Sequence, residues 1–212
     1  MRDELQIRVD FFRPDGICAE NDNILLRAIQ PSDEEDYINI CKKREGLKKL
    51  FSDPSSNLRE FLWLNLNSPA DLNTIIIRKS DHAFCGYTGL QSFAELDAPE
   101  LSIELAEKYQ RQGIGTMALQ LIMSRFTEVT GSKEFISKVR PENLVSQRLM
   151  RKLGGKPAGV APFPEIPESV LRSMEDSEEE QPENIEELAR EFDSTPRQLR
   201  SHVLVFKFSA DN

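Results

Sequence analysis

Residues 110–116 read Gln-Arg-Gln-Gly-Ile-Gly-Thr and run straight into an apolar helical pattern. Glycine lets a backbone approach a ligand with no Cβ in the way. A helix N-terminus carries unpaired N–H groups and about half a positive charge. The segment from Gln110 to Thr116 therefore has the physics of an anion cradle, entered from a strand and leading into a helix. It is not a P-loop, because no Gly-Lys-Ser/Thr follows, and it has no third glycine for a dinucleotide turn. Just upstream, Glu100 and Glu104 alternate with Leu101, Ile103 and Leu105, so the two carboxylates share one strand face. They are candidates to take a proton, or they are simply two exposed strand-face acids. Ser146, on a later helical segment, is either a hydroxyl donor or a small residue that allows close packing.

Other chemistries find little support. The two histidines, His82 and His202, offer almost nothing to a zinc site or a Ser-His-Asp triad. Cys18, Cys41 and Cys85 are odd in number and lack C-x-x-C spacing, which predicts reduced thiols and no metal. No apolar run approaches a membrane span, and residues 1–12 lack a signal-peptide pattern, so the expected location is the cytoplasm. The net charge of −9 is local: residues 165–193 hold twelve acids against two arginines, leaving the rest of the chain near +1. No basic stripe with interleaved aromatics points to nucleic acid.

The elements that must position these residues follow from pattern. With 212 residues and 39 % hydrophobic content, the chain has the size of a single domain with a real core. Leu5, Ile7, Val9 and Phe11 alternate, which predicts a strand or arm within an N-terminal extension over residues 1–20. Strands are expected at 23–29, 73–79, 83–93, 99–107, 134–139 and 202–208. His82 falls in the turn of a hairpin and Trp63 in the core. Helices are expected after Pro31-Ser32, over 57–66, from Ile114 with Ala118, Leu121, Ile122 and Phe126 facing inward, and over 141–155 with a Val145, Leu149, Leu153 stripe. The fold class is α/β (α+β): a mixed, mostly antiparallel sheet flanked by helices.

The Q-x-x-G-x-G spacing of Gln110, Gly113 and Gly115, preceded by the strand LSIELAE, resembles the acetyl-CoA-binding motif of the GNAT acetyltransferases. The segment PENLVSQRLMRKLGG resembles that family's second signature, with Asn143, Ser146, Leu149, Lys152 and Gly154 in register. FCGYTGLQ and LLRAIQPSDEEDY look like its third strand and its first strand and helix. The likeness covers about residues 23–160 plus 202–208, and its closest look is to enzymes that acetylate N-termini of ribosomal proteins. It implies a GNAT fold and direct transfer from acetyl-CoA, without metal, to a primary amine on a small molecule or a peptide N-terminus.

The resemblance also assigns roles. The backbone of Ile103, Glu104 and Leu105 would hold the pantetheine arm. The N–H groups of Arg111, Gln112, Gly113, Ile114, Gly115 and Thr116 would hold the pyrophosphate, and Asn143 would touch the cofactor arm. Glu104, then Glu100, would be the base and Ser146 a donor to the departing sulfur. Met150 stands where many members carry a tyrosine. That loss, together with the acidic insertion, keeps open a different class: a CoA-binding module with a regulatory or interaction role. The resemblance has no use for residues 161–200. There, EDSEEEQPE (175–183) is expected to be a solvated loop. Ile185, Leu188, Ala189 and Phe192 form one apolar helix face that must bury in the domain itself or in a second copy, as in a homodimer.

Overall fold

A computed structural model describes residues 4–53, 56–94, 98–163, 166–177 and 181–209. Glu165 and Glu178–Glu180 of the acidic stretch therefore lie outside the described residues. The chain divides into two compact units, one ending at Lys133 and the other running from Glu134.

The first unit holds the strands β1 (Ile17–Glu20), β2 (Ile24–Arg27), β3 (Leu72–Arg78), β4 (Ala83–Gln91) and β5 (Glu100–Leu105). They form an antiparallel meander in sequence order. The helix α1 (Glu4–Phe11) precedes them, α2 (Glu34–Cys41), α3 (Glu45–Phe51) and α4 (Leu58–Leu66) join β2 to β3, and α5 (Ile114–Thr130) follows β5. Ile114, Ala118, Ile122 and Phe126 of α5 are buried as the spacing suggests, but the fifth expected position, Leu121, is only half-buried and Leu119 is buried in its stead. A second cluster joins Tyr37, Ile38 and Cys41 of α2 to Leu62 and Leu66 of α4, with Trp63 packed against it.

The N-terminal segment is a helix, not the strand that its alternation suggests. Ile7 and Phe11 are buried, whereas Leu5 and Val9 are 68 % and 62 % exposed. The alternating positions also fall into two pairs four apart, Leu5 with Val9 and Ile7 with Phe11, and the helix turns only the second pair inward. Its C-terminal carbonyls are capped from α5, where the Arg125 guanidinium donates to Phe11 O at 3.0 Å and also to Asp10 O.

The second unit holds β6 (Glu134–Val139), α6 (Leu144–Lys152), β7 (Lys156–Pro162), α7 (Glu168–Glu175), α8 (Ile185–Glu191) and β8 (His202–Ser209). Here β8 lies between β6 and β7, antiparallel to both. The apolar stripe expected on α6 is not its buried face. Val145 is 61 % exposed, while Gln147 and Met150 are buried. The Gln147 amide donates to Pro141 O at 2.7 Å, which satisfies a polar group on the inward side. In α8, Leu188 and Ala189 are buried, and Phe192 stacks edge-on against Phe206 with ring centroids 5.1 Å apart. That apolar face is covered within its own unit.

Candidate active site

In the first unit, the strand, the loop and the helix that carry the candidate residues are consecutive. A short 3₁₀ turn, Glu107–Tyr109, ends β5, and Tyr109 is buried beneath the loop with the cations of Arg78 and Lys108 over its ring at 4.9 and 4.8 Å. The chain then emerges: Gln110, Arg111, Gln112 and Gly113 are all exposed. Gln110 Nε2 donates to Leu105 O at 3.1 Å and Gln112 Nε2 to Lys108 O at 2.7 Å, so both glutamines brace the loop from within. Arg111 and Gly113 have φ of 58° and 81°. Left-handed backbone costs a non-glycine residue roughly 1–2 kcal/mol, and alternation of this kind turns successive N–H groups to one side. No side chain caps α5 and no acid stands in its first turn. A Cβ built on Gly113 meets nothing within 4 Å, so that face is open. A diphosphate-bearing ligand fits this donor set: exposed amides, a helix N-terminus with no acid in its first turn, and Arg78 and Lys79 beside Asp22 in the pocket that Gln112 and Gly113 line.

β4 and β5 form the floor. Thr88, Tyr87 and Gly86 pair with Ile103, Glu104 and Leu105. At Gly86 the strands approach so closely that a Cβ would sit 2.1 Å from Glu104 O. The register against β3 also shifts here, leaving Cys85 as the extra residue of a bulge. A cavity of about 560 Å³ opens over this floor, lined by Asp36, Ile40 and Arg44 from the α2 side, by Glu104 and Leu105 of β5, and by Gln110 of the loop. Gln110, the first loop residue, thus shares this cavity with the Glu104 carboxylate, while Gln112 and Gly113 line another with Asp22, Arg78 and Lys79. Glu100, at the start of β5, is not among the residues that line it.

Glu104 is neither an exposed strand-face acid nor a free base. Arg44 Nε donates to both of its oxygens at 3.1 and 3.0 Å, and Arg44 Nη2 bonds Oε2 as well. The Tyr87 hydroxyl donates to Oε2 at 3.0 Å while accepting from Arg44 Nη2 at 2.7 Å. Burial and the nearby Glu104 charge push the Tyr87 phenol well above its ordinary range, so it stays protonated. Burial is the largest single influence and works against the Arg44 charge, but the hydrogen bond to Glu104 and the electrostatic pull of Tyr87, Glu104 and Cys41 together outweigh it and hold the guanidinium more firmly protonated. Tyr37 supports the cluster, its ring edge-on to Tyr87 at 5.4 Å. Sequence reasoning missed Arg44 and Tyr87, and no local signal could have paired them with Glu104.

The second unit carries the remaining candidates. Asn143 is exposed and caps α6, its Oδ1 accepting from Ser146 N at 3.0 Å. Ser146 is half-buried, and Met150 is buried at 2 % exposure. Among the described residues, no cluster of His, Cys, Asp or Glu could hold a metal ion.

The profile of the acetyltransferase (GNAT) domain matches residues 23–156. The chain belongs to the GNAT acetyltransferase family. That membership makes it an acyltransferase and accounts for the α/β fold. Solved structures agree on the fold at low identity. A spermidine N-acetyltransferase from Vibrio cholerae, in complex with CoA and spermine, is 14 % identical with a TM-score of 0.60, over 90 % of this chain and 98 % of that one. A GNAT-family acetyltransferase from Bacillus anthracis is 14 % identical with a TM-score of 0.61, over 92 % and 99 %. Ribosomal-protein-S5-alanine acetyltransferase from Vibrio fischeri is 15 % identical with a TM-score of 0.56, over 91 % and 96 %. No curated protein matches the chain by sequence. No helix among the described residues is long and apolar enough to cross a membrane.

Proposed function

We propose that this GNAT domain transfers the acetyl group of acetyl-CoA directly to a primary amine, on a small molecule or a peptide N-terminus. The carrying observation is the exposed loop 110–113, with two left-handed residues and an uncapped helix behind it, whose first residue Gln110 lines the cavity that Glu104 also lines. The amides from Arg111 to Thr116 hold the pyrophosphate, the backbone of Ile103–Leu105 the pantetheine arm, and Asn143 a further point on the cofactor. Acetyl-CoA supplies an acyl group on a leaving thiol of pKa ~8.5, whose departure as thiolate costs only ~2 kcal/mol at pH 7. A strong acid is therefore not required, and Ser146 is at most an auxiliary donor. The reaction and its coenzyme suit the cytoplasm.

Titration calorimetry with acetyl-CoA and coenzyme release over an amine panel test this reading. Binding lost in Gly113→Val, with the fold retained, supports it, and unchanged affinity removes its basis. The engaged state of Glu104 favours a second reading, a CoA-binding module with a regulatory role. Tight binding with no turnover on any amine would select that one.

A further inference from the structure

Among the described residues, the cavity over β5 has balanced charge. Its lining carries the acids Asp36, Glu104 and Glu107 and the cations Lys43, Arg44 and Lys108. Asp36 and Lys43 have no ion-pair partner among the described residues. Arg44 and Glu104, by contrast, are spent on each other, and the Tyr87 hydroxyl takes part as donor to one and acceptor from the other. A carboxylate already holding a guanidinium fork and a phenol has little capacity left for an incoming ammonium. The pair is fixed as well as neutral: Arg44 sits directly before α3, and Tyr87 rests on Tyr37 of the α2–α4 cluster. The arrangement is made of side chains, whereas the coenzyme contacts proposed for β5 are backbone.

Resting on the acyl transfer to an amine proposed above, we propose that Arg44 is the specificity determinant of the acceptor cavity: by occupying Glu104 it turns the cavity away from di- and polyamines and toward acceptors carrying a single amine. With Arg44 in place the lining is neutral among the described residues, three charges against three. Without it Glu104 is freed and the lining is left one negative charge in excess, which is what a second ammonium would pair with. Removing Glu104 instead leaves Arg44 unpaired and the lining positive. The two substitutions therefore act in opposite directions on one quantity, the preference between spermidine and an uncharged peptide with one free N-terminal amine.

The test compares wild type, Arg44→Gln, Arg44→Lys and Glu104→Gln, each first checked for a cooperative thermal transition. At low salt, Arg44→Gln should raise the ratio of kcat/KM for spermidine to that for the peptide about tenfold, the scale of one nearby partly solvated charge. Glu104→Gln should lower the ratio, and Arg44→Lys should keep it near wild type. If the pair is only structural, both neutral variants lose activity on both acceptors and the ratio stays put, which overturns the inference. Calorimetry on CoA-saturated protein needs no turnover: spermidine should bind Arg44→Gln more tightly than wild type, and Glu104→Gln more weakly. Equal affinities across the three overturn the inference even if no amine is acetylated, whereas intact binding without turnover counts against the acyl-transfer reading alone. Should Arg44→Gln fail to fold, a lowered ratio in Glu104→Gln supports the inference and an unchanged one overturns it.

Discussion

The loop at 110–113, whose first residue Gln110 reaches the cavity over β5, and the cluster around Glu104 in that cavity are built on opposite terms. The loop is backbone: exposed, twice left-handed, with no side chain capping the helix that follows. The cluster is side chains: half-buried, with the polar atoms of Glu104 and Tyr87 held by Arg44. One surface is left open for a ligand to complete, and the other is completed in advance. Open groups point to what a site binds. Closed ones point to what it has been arranged to refuse.

The contrast can be broken most forcefully from beneath. Gly86→Val would drive a Cβ into Glu104 O and Leu105 Cα, at a φ of 151° that side chains rarely adopt. A loss of roughly 4 kcal/mol is expected, because the clash is with backbone that cannot swing aside. Chemical denaturation of whatever soluble fraction is obtained checks it. A cost under about 1 kcal/mol would mean that the strands are not held at this separation.

Gly113→Val attacks the open surface instead. An added Cβ meets nothing within 4 Å, so the main cost in stability is the backbone strain of about 1–2 kcal/mol. Acetyl-CoA affinity should fall by more than about thirtyfold, since the loop would no longer present bare backbone to the ligand. Calorimetry beside a thermal melt separates the two effects.

Tyr87→Phe loosens the closed surface by one hydroxyl. It should cost about 1–2 kcal/mol at neutral pH, the scale of a buried hydrogen-bond partner left unmatched. Its pH dependence carries a sign. The folded phenol titrates well above its unfolded value, so its stabilising contribution is whole below about pH 10 and is lost as pH rises further. Urea midpoints from pH 8 to 11 should fall less steeply in the variant than in wild type. Some decline must remain, because burial raises Tyr37 as well. Ser146→Ala should change least. A cost of less than about tenfold in turnover is expected from the ease of thiolate departure, and a larger loss would restore an acid role for that hydroxyl.

What was legible in the sequence was what is local. The stripe of α5, the β3–β4 hairpin and the short strand at 134–139 each depend on neighbours within a few residues, and periodicity reports them directly. His82 lies in the hairpin turn, exposed at a φ of 55°, as its setting suggested. The N-terminal helix was hidden because its alternating residues also satisfy helical spacing. On α6 the stripe misleads for a different reason: the inward position is a glutamine, satisfied by a backbone carbonyl that only the folded chain supplies. The candidate site divides along the same line. Its backbone half is written in consecutive residues. The state of Glu104 depends on a guanidinium sixty positions away.

The three cysteines have a practical bearing on all these measurements. Cys18, Cys41 and Cys85 are each at most 1 % exposed, so the intact fold offers no sulfhydryl to a colorimetric disulfide reagent. Burial also keeps these thiols protonated, and Cys18 is pushed up to about 12. Such a reagent added during turnover would register the coenzyme's newly freed thiol against a low background. A variant whose baseline climbs toward three equivalents per chain is unfolding in the cuvette, so one absorbance trace reports both catalysis and the integrity of the fold.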